Sequence, residues 1–174
     1  MSIVLIVLFV FISVFSVAAR PRGRHNATRD SLILDCLYDA NLNNTKWGES
    51  RLDLITTRTT HPFVMSIMSR AMDTGVGEKL RTQGLWDPQI LGPMQYILED
   101  RPCDEDTFMM DVGANIGFFS LFSLSLGCDV AMFEPQGPAL TALRASLCIN
   151  EHIYRKKRQK FQLIPMPVSD STSV

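Results

Sequence analysis

The sequence predicts an α/β protein built on a parallel sheet, and three observations predict it. Strand-like and helix-like runs alternate as strand–helix–strand–helix–strand from Thr107 to the end of the chain. The first of these strands runs into a glycine loop, "DVGANIGFFS", which opens directly into an apolar helix. The second strand closes on an acid, Glu134, 21 residues after Gly113. Right-handed crossovers between such strands imply a sheet carrying helices on both faces.

The bulk composition narrows the class further. A chain of 174 residues has room for one ordinary domain plus an extension. Its 46% hydrophobic and 20% charged residues are those of a globular protein. A net charge of −1 supplies no basic field, so nucleic acid is not expected as a partner.

Residues 1–19, "MSIVLIVLFVFISVFSVAA", contain no charged side chain and are apolar almost without interruption from Ile3 to Ala19. About 18 such residues can span a bilayer, and about 7–15 suffice for a signal-peptide core. Small residues at Ser16 and Ala18, or Val17 and Ala19, suit a cleavage site. No Lys or Arg precedes the run; Arg20, Arg22 and Arg24 follow it, which for a retained anchor favours a cytosolic chain. The sequons Asn26-Ala27-Thr28 and Asn43-Asn44-Thr45 point instead to the lumen. The segment is read as a signal peptide or membrane anchor, with membrane attachment through residues 3–19 if it is kept. The expected location is the secretory pathway, lumenal or secreted. Cys36, Cys103, Cys128 and Cys148 can pair in three ways in an oxidising lumen. Cys128 and Cys148 fall in a predicted strand and helix, where free buried thiols are the favoured reading. Neither a C-x-x-C spacing nor a His/Cys cluster is present, so no metal site is expected.

Residues 20–60 read as a polar stem with one short helix, in which Leu32, Ile33, Cys36 and Leu37 recur at helical spacing behind an Asp30 cap. The folded domain is expected over 61–174. "PFVMSIMSR" reads as a strand, "GVGEKLRTQG" as a short helix between glycines, and "DPQILGPMQYILED" as an amphipathic helix. In that helix Ile90, Met94, Ile97 and Leu98 share a face, and Gly92-Pro93 marks a break or kink. "TFMMDV" is a short buried strand, and the helix after the loop is apolar around most of its surface and stopped by Gly127. "CDVAMFEP" is the second strand. A helix from about Pro138 buries Ala139, Leu140, Ala142, Leu143 and Leu147 and stops at Asn150. "KFQLIPMPVSD" is the third strand, with Pro165 and Pro167 confined to an edge or a strand end.

In an open parallel sheet a ligand binds where strands end and helices begin, and Asp111 to Gly117 is such a place. Glycines there let the backbone approach a ligand closely, and the amides at the helix start point toward it. A dinucleotide loop needs G-x-G-x-x-G, but Asn115 stands where the middle glycine should be, which counts against NAD or FAD. Asp111 at the loop entrance would repel pyrophosphate and could hold an ammonium group. Glu134 has the spacing of about 20 residues expected of a group that bonds ribose hydroxyls. The expected ligand is therefore a nucleoside with a cationic tail, and S-adenosyl-L-methionine fits.

The stretch "MDVGANIGFFSLFSLSLGCDVAMFEPQGPALTALRASLCIN" resembles the cofactor-binding core of class I methyltransferases, and specifically the FkbM family. The resemblance rests on the D-x-G-A-N-x-G loop, a strand closing in F-E-P, a helix ending in Asn and the upstream Gly84-Leu85-Trp86-Asp87-Pro88 element. It runs from roughly Pro62 to the end of the chain. It implies a Rossmann-like sheet and S-adenosyl-L-methionine bound by Asp111, Gly113, Ala114, Asn115, Gly117 and Glu134, with Asp170 near the adenine. It also implies methyl transfer to a hydroxyl of a glycan or small metabolite. The family's sheet is larger, with the Asp111 strand central, so this chain is expected to be truncated after the third core strand. The Asp111 strand would then present an open edge, for which the "PFVMSIMSR" strand is a candidate cover. The alternative to an enzyme is a non-catalytic secreted or anchored module that keeps the fold; a nicotinamide oxidoreductase comes third. The catalytic base is not assigned. His25, His61 and His152 sit in no matching motif, and "RKKRQK" (Arg155 to Lys160) reads as a solvated connection between a helix and a strand. Trp86 is read either as a cap on the cofactor pocket or as packing for the upstream helix.

Overall fold

The computed structural model describes residue 36 and residues 52–100, 102–103, 108–157 and 159–168. Residues 1–19, the two sequons and Asp170 lie outside the described residues.

Among the described strands the first two form an antiparallel hairpin, β1 (Asp53–Thr56) and β2 (Val64–Ile67), in register from Asp53 opposite Ile67 to Thr56 opposite Val64. β2 was expected; β1 lies in the region read as a stem. Its four residues, DLIT, are mostly exposed and carry no buried alternation that could have marked them. Met65, Ser66 and Ile67 are all buried, so β2 is covered on both faces.

The second edge of β2 is closed by side chains of a helix, α4 (Gly137–Ile149). The Ser66 N–H donates to Ser146 Oγ at 2.8 Å. One helical turn on, the Val64 N–H donates to Asn150 Oδ1 at 3.0 Å, and Asn150 Nδ2 donates to the Val64 carbonyl at 2.5 Å. Asn150 thus exchanges with Val64 the pair of bonds that a residue of a neighbouring strand would make. This is also why the helix stops there: the Asn150 side chain is committed to β2 and to the Ser146 carbonyl, 2.7 Å away.

Two helices follow the hairpin. α1 (Val76–Gln83) starts over Asp73, whose carboxylate accepts from the Gly75 and Gly77 amides at 2.9 and 2.8 Å. It ends at Gly84, in the left-handed conformation at φ 69°. Arg81 joins it to the hairpin through Asp53 at 2.8 Å and through the Met68 carbonyl. α2 (Pro88–Asp100) opens on a proline, and the Asp87 carbonyl receives the Ile90 and Leu91 amides. Of the break or kink expected at Gly92-Pro93 there is no break: the helix runs through Pro93. Its inward face also differs. Leu91 is buried with Met94 and Leu98 beside it, whereas Ile90 and Ile97 are exposed. The inward face is turned by about 50° of helix from the expected stripe, which it shares at Met94 and Leu98.

The parallel sheet has the order β3 (Phe108–Val112), β4 (Asp129–Phe133), β5 (Phe161–Ile164). β5 lies at an edge and ends before Pro165, as its prolines require. Both connections between these strands pass over the same face. α3 (Phe118–Leu126) joins β3 to β4; α4 and α5 (Glu151–Lys157) join β4 to β5. The expectation of helices on both faces is therefore wrong here. Two right-handed crossovers that step in one direction across a sheet put their helices on one side of it.

Residues opposite each other in a parallel pair point the same way, so Met109, Asp111, Val130 and Met132 face the helices. Phe108, Met110 and Val112 face outward, 56%, 45% and 58% exposed, so the strand expected to be buried is buried on one face only. β2 pairs with β1 in a separate sheet, and no strand among the described residues covers the outer edge of β3.

The core gathers around α3, whose Leu121, Phe122 and Leu124 are at most 1% exposed. Its serines are all engaged: Ser120 with Asp111, Ser123 with the Phe119 carbonyl and Met109, Ser125 with the Phe122 carbonyl. α4 contributes Ala139, Leu140, Ala142, Leu143 and Leu147 as expected. Arg155, Lys156 and Lys157 form the last turn of α5 rather than a connection after a helix.

Two disulfides staple this arrangement, Cys36–Cys148 and Cys103–Cys128. The reading of Cys128 and Cys148 as free buried thiols is therefore corrected. Both are buried or nearly so, but each sits with its Cα within 6 Å of a partner's, at 4.9 and 5.7 Å. Sequence spacing carries no such distance. Two disulfides suit an oxidising extracellular or lumenal environment. No helix among the described residues is long and apolar enough to cross a membrane.

Candidate binding site at the glycine loop

The loop from Gly113 to Gly117 connects the end of β3 to the start of α3 and lies over the end of β4. Three successive loop amides are turned onto β4. The Gly113 and Ala114 N–H groups donate to the Phe133 carbonyl at 2.9 and 3.0 Å, and the Asn115 N–H donates to Glu134 Oε2 at 2.7 Å. The other Glu134 oxygen, Oε1, accepts from the Gln136 N–H at 2.7 Å. Glu134 is only 3% exposed. The amides of positions 113 to 115 are thus already held by the end of the second strand and by Glu134.

The two glycines serve different ends. Gly113 is at φ 81°, and a methyl group added there would meet nothing within 4 Å, so its surface faces open space. Gly117 is at φ 87°, and an added methyl would lie 2.2 Å from Leu143 Cδ1. Gly117 is required by the close approach of the loop to α4. Ala114 is buried and can offer a ligand only backbone, whereas Asn115 is exposed and also left-handed, at φ 51°. Asn is among the residues that tolerate that conformation.

Asp111 sits one strand position before the loop, on the helix side of the sheet. Its Oδ2 accepts from Ser120 Oγ at 2.5 Å. Burial pushes the Asp111 carboxyl above its ordinary value; the side-chain and backbone hydrogen bonds from Ser120 oppose the shift, and the nearby charge of Glu134 adds to it. Ser120 was not anticipated from the sequence. A serine in the first turn of an apolar helix is the only signal that pointed to it. The Phe133 carbonyl and the Gln136 amide, as backbone partners, left no trace in residue types.

Among the described residues, the ion pairs are Arg70–Glu78, Arg81–Asp53 and Arg81–Glu78, none of which involves Asp111 or Glu134. The loop is therefore flanked by two carboxylates that pair with no cation among the described residues. No group of His, Cys, Asp and Glu among the described residues could hold a metal ion. Trp86 packs against the core with Lys79 Nζ 5.0 Å above its ring. His61 and His152 are exposed and lie outside the loop.

Compared with known proteins, the chain matches no family model, no curated protein and no solved structure. The class that fold and site define is a mixed α/β protein, with a three-strand parallel sheet, a small antiparallel hairpin and a glycine loop between two acids.

Proposed function

We propose that this chain binds S-adenosyl-L-methionine at the Asp111–Gly117 loop and acts as an O-methyltransferase of the FkbM type. The acceptor would be a hydroxyl of a glycan or small metabolite. The observation that carries the proposal is the pair of carboxylates, Asp111 and Glu134, beside an open Gly113 surface, neither of them ion-paired among the described residues. Polyphosphate would be repelled there, while a nucleoside with a cationic tail is matched in charge. Asp111 would hold the ammonium group, the Gly113 backbone would lie against the nucleoside, and Glu134 would stand on the ribose side through its remaining lone pairs. When bound, the cofactor supplies an electrophilic methyl group. The parallel order β3-β4-β5 is compatible with the first three strands of a Rossmann-like sheet. The disulfides and the two sequons support a secretory-pathway setting, lumenal or secreted.

One observation favours the second reading, a non-catalytic module. Both acids are already engaged inside the chain, Asp111 with Ser120 and Glu134 with two backbone amides. Calorimetric titration of the oxidised chain with S-adenosylmethionine, S-adenosylhomocysteine and NAD separates the readings. Binding of the first two, but not of NAD, is expected. NAD binding alone would overturn the proposal, and no binding by a chain with a folded circular-dichroism spectrum would favour the module.

A further inference from the structure

Glu134 combines three properties that are rarely found together. It is 3% exposed, it has no ion-pair partner among the described residues, and each of its oxygens is 2.7 Å from a backbone N–H. Burying a carboxylate costs several kcal/mol unless hydrogen bonds replace its water. Here the replacements come from two different segments. Asn115 belongs to the glycine loop and Gln136 to the turn that opens α4, so one side chain ties the two loops that flank the end of β4.

We infer that Glu134 is a positioning residue, which braces the Gly113–Gly117 loop in its ligand-ready form before any ligand is present. The geometry of the loop supports this. Asn115 is left-handed at φ 51°, a conformation that Asn tolerates better than most residues, and the bond from its N–H to Glu134 fixes it there. The Phe133 carbonyl already accepts from Gly113 and Ala114, which takes up both of its lone pairs. The Glu134 carboxylate reaches one residue further, and only a carboxylate suits the task. Its two oxygens are both acceptors, whereas a glutamine offers one acceptor and one donor, and that donor would face an N–H. Any direct contact between Glu134 and a ribose would use lone pairs left over from this work. The brace concerns the loop alone; its consequence for binding rests on the function proposed above.

The test is amide hydrogen exchange by NMR on the full, disulfide-bonded chain without ligand, for the wild type and for Glu134→Gln. In the wild type, the Asn115 and Gln136 amides should be protected, since each has Glu134 as its acceptor. In Glu134→Gln at least one of the two should exchange about tenfold to a hundredfold faster, the size expected when a buried hydrogen bond to a charged acceptor is lost. Met132, inside β4, serves as the control and should be unchanged. Unprotected Asn115 and Gln136 amides in the wild type would overturn the inference even if the variant did not fold. So would a folded variant with unchanged protection, which is the outcome expected if Glu134 served only to accept from a ribose. Titration with S-adenosylhomocysteine well below the unfolding temperature gives the second readout, with weaker binding expected in the variant. Failure of the wild type to bind that ligand would count against the proposed function, while the exchange data would still decide the brace.

Discussion

At Gly117 an added methyl would meet Leu143 Cδ1 at 2.2 Å, on a backbone held at φ 87°. Gly117→Ala should therefore cost at least about 2 kcal/mol of stability by urea unfolding, from strain and overpacking together. Gly113→Ala meets no neighbour, so only the left-handed conformation is penalised, by about 1–2 kcal/mol. Its larger effect should fall on S-adenosylhomocysteine affinity, because the new methyl occupies the surface offered to the ligand. Equal stability losses in the two variants would contradict this division of roles. Asp111 makes a prediction in pH. Its carboxyl is raised in the folded chain, so the native state holds that proton more tightly than the unfolded state does. Its contribution to stability is complete below the unfolded value of about 4 and declines as pH rises through the folded value. Asp111→Asn keeps an acceptor for Ser120 and removes the ionisation. Its stability relative to the wild type should rise over that window and then level off, as followed by urea unfolding from pH 4 to pH 8. The presence of acids at 111 and 134 was legible in the sequence. That Glu134 bonds backbone on both sides was not, since amide partners leave no mark in residue types.

Among the elements, α4 shows how legible a helix is when its apolar face is broad. Ala139, Leu140, Ala142, Leu143 and Leu147 were identified from spacing alone, and Asn150 as the stop. α2 shows the opposite. Leu91 together with Ile90, Met94, Ile97 and Leu98 allows two overlapping stripes, and only the position of α3 and the Cys103–Cys128 staple selects Leu91, Met94 and Leu98. That staple closes a separation of 25 residues, for which loop-closure entropy predicts about 3.5 kcal/mol. The double variant Cys103→Ser with Cys128→Ser should lose stability of that order in chemical denaturation. Asn150→Ala should be costly as well. It strips the Val64 N–H and carbonyl of their partners at the β2 edge, for about 2–4 kcal/mol and faster exchange at the Val64 amide. A loss below about 0.5 kcal/mol would mean that water replaces the side chain there.

For the whole molecule, the alternation of strands and helices was enough to predict a parallel sheet, and the three-strand order agrees with it. The face on which the helices lie was misjudged, although the handedness of two like-directed crossovers contains the answer. As a result Phe108, Met110 and Val112 form an apolar row on an edge strand, an arrangement that favours pairing with other chains. Met110→Lys should reduce concentration-dependent association in sedimentation velocity and leave the unfolding midpoint almost unchanged, since Met110 is 45% exposed. The long disulfide has a different consequence. Cys36 and Cys148 bracket the hairpin, α1 to α3, β3, β4 and nearly all of α4, with a sequence separation of 112. A protease that cuts once anywhere from residue 37 to residue 147 would leave two polypeptides still joined by a covalent bond. On a gel without thiol such a nicked molecule would run as one species, and only reduction would release the pieces.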